Sequence, residues 1–251
     1  MNAATSWTYV LRLGDDALVM SQRLGEWIAT SPQLEEDVAV GNIALDLLGQ
    51  ARTLLTHAGE LEGAGRDEDA LAYFRDEREF TNVHLCELAN GDFGHVMARL
   101  LVFSAYQSEL YAQLSTSSDP TLAAVAAKAL KEVSYHRDHA TQWVLRLGDG
   151  TEESRRRMQA GIDAVWPYTF ELFEADRLLD EQVEAGVAAD PVAMQPPWSA
   201  YVTTVLQKAT LALPTAVPAV TGGRRGIHTE QMGFLLAEMQ HLARSHPGAT
   251  W

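Results

Sequence analysis

The chain has 251 residues, enough for one large domain or two small ones, and 47% of them are apolar, so a sizeable core is expected. Its formal net charge of −15 argues against nucleic acid or an anionic membrane, which are met by clustered Lys and Arg, and suits basic protein partners. One cysteine, Cys86, leaves no internal disulfide and fits a reducing cytoplasm, and the start, MNAATSWTYVLRLGDD, lacks the basic and apolar regions of a signal peptide.

No apolar run approaches the roughly 20 residues of a membrane span. Residues 7–29 predict a first helix with Leu13, Ala17, Leu24, Trp27 and Ile28 toward a core. TSPQ is a short turn, so the next helix, to about residue 59, is expected as an antiparallel neighbour. In this second helix Leu34, Val38, Leu45, Leu48 and Leu55 form one apolar row, and Val40, Ala44, Leu47, Ala51, Leu54 and Ala58 form the row beside it. Together they cover more than half the circumference, which predicts neighbours on several sides. A narrow polar stripe remains: Asn42, Asp46 and Gln50.

Residues 59–70 are acidic and glycine-rich, a loop by composition, followed by a short helix near DEREF and a loop ending at NGDF. A third helix is predicted over 92–115 and a fourth over 120–147, with Asp119 as N-cap and Pro120 at the first helical position. The fourth is expected to stop at LGDG, with Gly148 left-handed. Residues 151–185 predict a long fifth helix kinked near Pro167, and 197–212 a sixth. Residues 213–227 form a loop, and 229–245 a last helix with Met232, Leu235, Leu236, Met239, Leu242 and Ala243 on one face. Strand signals are nearly absent, so the class is all-α. VLRLGD occurs at 10–15, opening a helix, and at 144–149, closing one, which marks coincidence rather than a repeat. The first four helices read as two hairpins, the way a four-helix metal-carboxylate bundle is assembled.

Such a bundle holds two iron ions with a Glu from each of two helices and Glu-x-x-His from each of the others. Here the inward pairs are Leu47-x-x-Gln50 and Val133-x-x-His136, and no register supplies six ligands. Glu238-x-x-His241 lies away from the apolar face of its helix, and Asp92-x-x-His95 reads as an N-terminal cap. His136 reads as a core histidine, and Cys86 as a buried structural thiol. Asp46 and Glu132 are either solvated or paired with Arg52, Lys128 or Lys131. Arg155, Arg156 and Arg157 begin a helix, where they form a solvated face or meet an acidic partner. In TGGRRGIHTE, residues 221–230, the glycines allow close backbone approach beside Arg224 and Arg225, which suits a structural role, an acidic partner or a phosphate.

The stretches NIALDLLGQAR, DEREFTN with NGDF, KEVSYH, and TGGRRGIHTE with LAEMQ resemble the family of C subunits of bacterial phenylacetyl-CoA epoxidases, and the resemblance runs from LRLGDD to Trp251. It implies a single ferritin-like helical domain over 1–251, a four-helix bundle with additional C-terminal helices. It also implies membership of an oxygenase complex of aerobic phenylacetate catabolism. In that family a homologous A subunit carries the di-iron centre and epoxidises phenylacetyl-CoA, a small B subunit bridges, and a flavin and iron–sulfur reductase delivers electrons from NADPH. The C subunit is A's structural partner, with no cofactor of its own.

By the same resemblance the metal-ligand positions fall at Ala17, Leu47, Gln50, Ser104, Val133 and His136, with Asp46 and Glu132 as surviving acids. Arg224, Arg225, Arg155 and Arg156 are then candidates for a CoA phosphate or the partner. The rival reading is a divergent metal site around Asp46, Glu132, His136 and His139.

Overall fold

The computed structural model describes the backbone of residues 3–249 and the side chains of 6–249; the resemblance's endpoint Trp251 lies outside them. Among the described residues there are ten α-helices and no strand, and the fold is all-α, of the ferritin-like class. The chain divides into two compact units, Met1–Ala89 with Thr221–Trp251, and Asn90–Val220.

The first unit is built on α1 (Ala3–Trp27) and α2 (Leu34–Glu62), joined by the expected short turn and packed along their length. Glu35, Glu36 and Asp37 place negative charge in the first turn of α2, where the helix dipole favours it. The helix outlasts the predicted end at residue 59 because Gly63, left-handed at φ 71°, closes it by donating its N–H to Gly59 O. The predicted loop is therefore short and gives way to α3 (Glu68–Tyr73), capped by Asp67. A 3-10 turn at Glu77–Glu79 and the one-turn α4 (His84–Glu87) follow.

On α2 the residues Val40, Ile43, Leu47, Ala51 and Leu54 are buried. The apolar row of α2 that begins at Leu34 departs from expectation, since Leu34, Val38, Leu45 and Leu48 are exposed and only Leu55 of that row is buried. Likewise VLRLGD at 10–15 lies inside α1 and does not open it.

The second unit is built on α5 (Phe93–Leu114) and α6 (Pro120–Gly148). Asp119 caps α6 as expected, accepting from the Thr121 and Leu122 N–H groups at 2.9 and 3.1 Å, with Pro120 behind it. Gly148 keeps helical φ rather than turning left-handed. Its missing side chain makes room for the Ala209 carbonyl, which a Cβ would strike.

The predicted fifth helix is not kinked but broken. After α7 (Glu152–Val165), Pro167 has no N–H to continue the ladder and its ring opposes the carbonyl one turn back. Two 3-10 turns, Trp166–Tyr168 and Phe170–Phe173, carry the chain to α8 (Arg177–Glu184), which Asp176 caps. α9 (Pro191–Lys208) starts before the predicted 197 because Asp190 and Pro191 form a stronger start than Pro196 and Pro197 do. The carbonyls that these two prolines leave unbonded belong to the exposed Val192 and Ala193, where water reaches them.

The last helix, α10 (Glu230–Ser245), returns to the first unit and buries Met232, Leu235 and Leu236. Of the predicted face, Leu242 is exposed, and Gln240 is buried in its stead. The surface met there is the C-terminal end of α3 and the turn after it, and Gln240 Nε2 donates to Ala72 O and Arg75 O, each at 3.0 Å. A leucine could make neither bond, though the Arg75 carbonyl would keep Arg244 Nη2 as a donor at 2.7 Å.

Candidate functional site

The six positions that the resemblance assigns to a di-iron site fall in two groups. In the first unit, Ala17 on α1 and Leu47 on α2 are fully buried, and Gln50 is 4% exposed one turn further along α2. In the second, Ser104 on α5 and Val133 and His136 on α6 are fully buried. Ala17, Leu47 and Val133 offer only hydrocarbon, and the Ser104 hydroxyl donates to Leu100 O at 2.6 Å within its own helix. Gln50 and His136 are the remaining donors, both neutral ligands, so the set lacks the carboxylates that hold ferric iron. This donor set does not fit a di-iron group.

The acids beside it are half-buried. Glu132 pairs with Lys128 at 3.4 Å, one of the partners expected for it. Arg52 pairs instead with Glu68, at 3.2 Å. His139 lies against Tyr135, ring centroids 5.9 Å apart. Among the described residues no three His, Cys, Asp or Glu side chains gather in a metal-holding geometry; of the rival set, Asp46 belongs to the first unit and Glu132, His136 and His139 to the second.

The densest polar chemistry lies elsewhere in the first unit. Asp15 and Asp16, side by side in the middle of α1, are both buried. Asp15 takes the Arg75 guanidinium bidentately and accepts from the Thr81 N–H and hydroxyl at 2.8 and 2.9 Å. Arg75, 1% exposed, also donates to Leu71 O and Glu79 O and lies over the Phe80 ring at 4.1 Å. Asp16 takes Arg224 bidentately at 3.0 and 2.8 Å and accepts from Val83 N–H at 2.9 Å. Burial pushes the Asp16 carboxyl above the usual carboxylate range, while Arg224 and the Val83 N–H pull against it.

Arg224 is thus committed inside the chain, donating also to Arg12 O and Thr81 O. The close approach expected of the glycine loop is made by the chain's own backbone. A Cβ on Gly223 would strike Asn82 O, and one on Gly226 would strike Arg78 O. Of the arginine pair, Arg225 is the exposed one, donating to Thr221 O at 3.1 Å.

A second anchor follows in the same loop. His228 directs Nδ1 to Glu87 Oε2 and Nε2 to Phe80 O, both at 3.0 Å, and its side chain is wholly buried. Both neighbours can accept from a protonated, charged ring. Burial works against that charge, but the Glu87 carboxylate and the Phe80 carbonyl outweigh it and hold the His228 pKa above its ordinary value. The other Glu87 oxygen accepts from Thr229 N–H at 2.8 Å. With both ring nitrogens engaged by groups of the chain itself, His228 fastens the loop to Glu87 and Phe80. Cys86 beside it is buried, as expected of a structural thiol.

The remaining candidates are local. Asp92 caps α5, accepting from His95 N–H and Nδ1 at 3.1 and 2.8 Å, as its position suggested. Hydrogen bonds from His95 hold the Asp92 carboxyl below its usual range against the pull of burial. Glu238 and His241 are exposed. Arg156 and Arg157 both bind Glu153, whose carboxyl they lower to about 2, and Arg155 donates to Gly148 O at 2.9 Å. The Asp15–Arg75, Asp16–Arg224 and Glu87–His228 pairs are not foreseen from the sequence. The adjacent acids inside an otherwise apolar stretch of α1 are the signal that could have pointed to the first two.

Comparison with known proteins comes from two directions. The family model for phenylacetic acid catabolic proteins matches residues 1–251. The chain is 48% identical over 251 residues, the whole length of both, to the C subunit of 1,2-phenylacetyl-CoA epoxidase from Escherichia coli strain K12.

Proposed function

This chain belongs to the phenylacetic acid catabolic protein family, as a member of the C-subunit type, and from that premise we propose that it is the non-catalytic structural component of a phenylacetyl-CoA epoxidase. It pairs with and supports a homologous A subunit that holds the di-iron centre and most of the phenylacetyl-CoA site. The small B subunit and the NADPH-dependent flavin and iron–sulfur reductase complete the assembly, in the cytoplasm. No helix among the described residues is long and apolar enough to cross a membrane.

The observation that carries the reading is the donor set: Ala17, Leu47 and Val133 stand buried where carboxylates would have to be. We read this as a degenerate di-iron site refilled with hydrocarbon. Buried hydrocarbon supports a bundle better than an unpaired buried carboxylate would.

The test is co-expression with the A subunit after growth in excess ferrous iron, followed by elemental analysis of the chain alone and of the pair. The expected result is a stable pair, iron in the A subunit, and no iron or epoxidation from this chain alone. Iron bound by this chain, or failure of the two to co-purify, overturns the reading.

A further inference from the structure

Four large apolar side chains of α2 stand in solvent: Leu34 is 74% exposed, Val38 56%, Leu45 65% and Leu48 43%. With Gly41 they fall at 34, 38, 41, 45 and 48, alternating steps of four and three. That alternation keeps one seam of a helix turned toward a second helix. A contiguous apolar strip of this kind on a folded surface marks an interaction site.

The glycines add an independent sign. A Cβ on Gly41 would meet Ile28 Cδ1 at 3.8 Å, ordinary contact, and one on Gly25 of α1 would meet nothing within 4 Å. Neither residue has positive φ. No turn and no neighbour inside the chain requires a glycine at either place, and each weakens its helix relative to alanine. Both line a groove of 650 Å³ beside α1 and α2, within the first unit, which Leu18, Ala44, Tyr73 and Met239 also line.

We propose that this groove receives a helix of the partner subunit. That helix seats its own apolar seam along Leu34, Val38, Leu45 and Leu48, its backbone approaches closely at Gly25 and Gly41, and basic side chains flank it. The inference rests on the pairing proposed above and gives it a place. Charge selects this occupant over a second copy of the chain. Beside the seam α2 carries the exposed Glu35 and, lining the groove, Asp37, while Arg52, its one cation between residues 34 and 52, is already paired with Glu68. Two copies meeting here would set those carboxylates against each other on chains of net charge −15, whereas a partner with basic flanks relieves them.

The experiment titrates the full chain against the separately purified A subunit by calorimetry at physiological salt. Leu45→Lys with Leu48→Lys is expected to raise Kd by about 100-fold or more. Because both positions are exposed, its helical spectrum and Tm should match those of the wild type. Gly41→Ala is expected to raise the Tm of the chain alone yet weaken binding about tenfold. A wild-type chain that does not bind overturns the pairing itself. A wild-type chain that binds, with a double-lysine variant that binds as tightly, overturns the seam and leaves the pairing standing. A concentration-dependent dimer of the chain alone, abolished by the same lysines, overturns the choice of occupant in favour of a second copy.

Discussion

Helices α5 and α2 are both long and rich in apolar residues, yet within their own units they are covered differently. α6, α7 and α9 all pack on α5, and every residue from Val96 to Gln107 is buried. The principal neighbours of α2 are α1 and the short α3, and four of its large apolar side chains remain in solvent. Hydrophobic period alone therefore reports which faces of a helix need cover; it does not say whether the chain itself supplies that cover. On α5 the extra cover has identifiable anchors. The buried Trp198 of α9 donates Nε1–H to Val102 O at 3.0 Å and packs on Phe173 and Trp166 at 5.0 and 5.8 Å between ring centroids.

The largest expected effect tests that difference directly. Trp198→Ala removes a buried indole and its hydrogen bond and should lower stability by about 3–5 kcal/mol in denaturant titration. Leu45→Ser on α2 should change the stability of the chain alone by no more than about 0.5 kcal/mol. A loss at Leu45 comparable to that at Trp198 would show that the α2 face is covered in solution and would erase the contrast.

Much of the fold is legible in the residues because local chemistry decides it. TSPQ turns α1 into α2, and Asp119 with Pro120 starts α6, each through groups adjacent in sequence. The burial of Ala17, Leu47 and Val133 follows from period, and their inability to bind metal follows from their side chains. The role of TGGRRGIHTE was not legible. Glycines beside arginines look alike whether they cradle a phosphate or admit the chain's own carbonyls. In the fold Arg224 meets Asp16, 208 positions away, a pairing that no local pattern encodes. The fifth helix misled for a simpler reason: apolar period continued past Pro167, but the backbone could not.

Next in size comes the anchor of the glycine loop. Arg224→Ala strips Asp16 of its guanidinium while leaving the carboxyl buried, and should cost about 3 kcal/mol, part of which Asp16→Asn in the same chain should restore. Equal losses in the single and double variants would mean that the ion pair is not what fastens the loop. Smaller again is the His228 contact. Its pKa is raised in the folded state, so its contribution is complete below the unfolded value of about 6.5 and is lost as pH rises through the higher folded value. Stability measured from pH 5.5 to 8.5 should therefore fall as pH rises through that upper window, and His228→Gln should flatten the fall. A wild-type profile already flat there would show that the ring is neutral when folded.

The smallest effect uses one substitution at two glycines and expects opposite signs. A Cβ on Gly49 of α2 would meet nothing within 4 Å, and φ there is helical, so Gly49→Ala should stabilise the chain alone by about 0.5–1 kcal/mol through helix propensity. Gly94, in the first turn of α5, faces α7, where a Cβ would stand 3.0 Å from Arg157 O. Backbone there cannot give as a side-chain tip can, so Gly94→Ala should cost about 1 kcal/mol despite the same gain in propensity. If both substitutions stabilised, the α5–α7 contact would be looser than its geometry indicates. If both destabilised, the Gly49 face of α2 would have a neighbour in the free chain, and the openness of α2 would have to be given up.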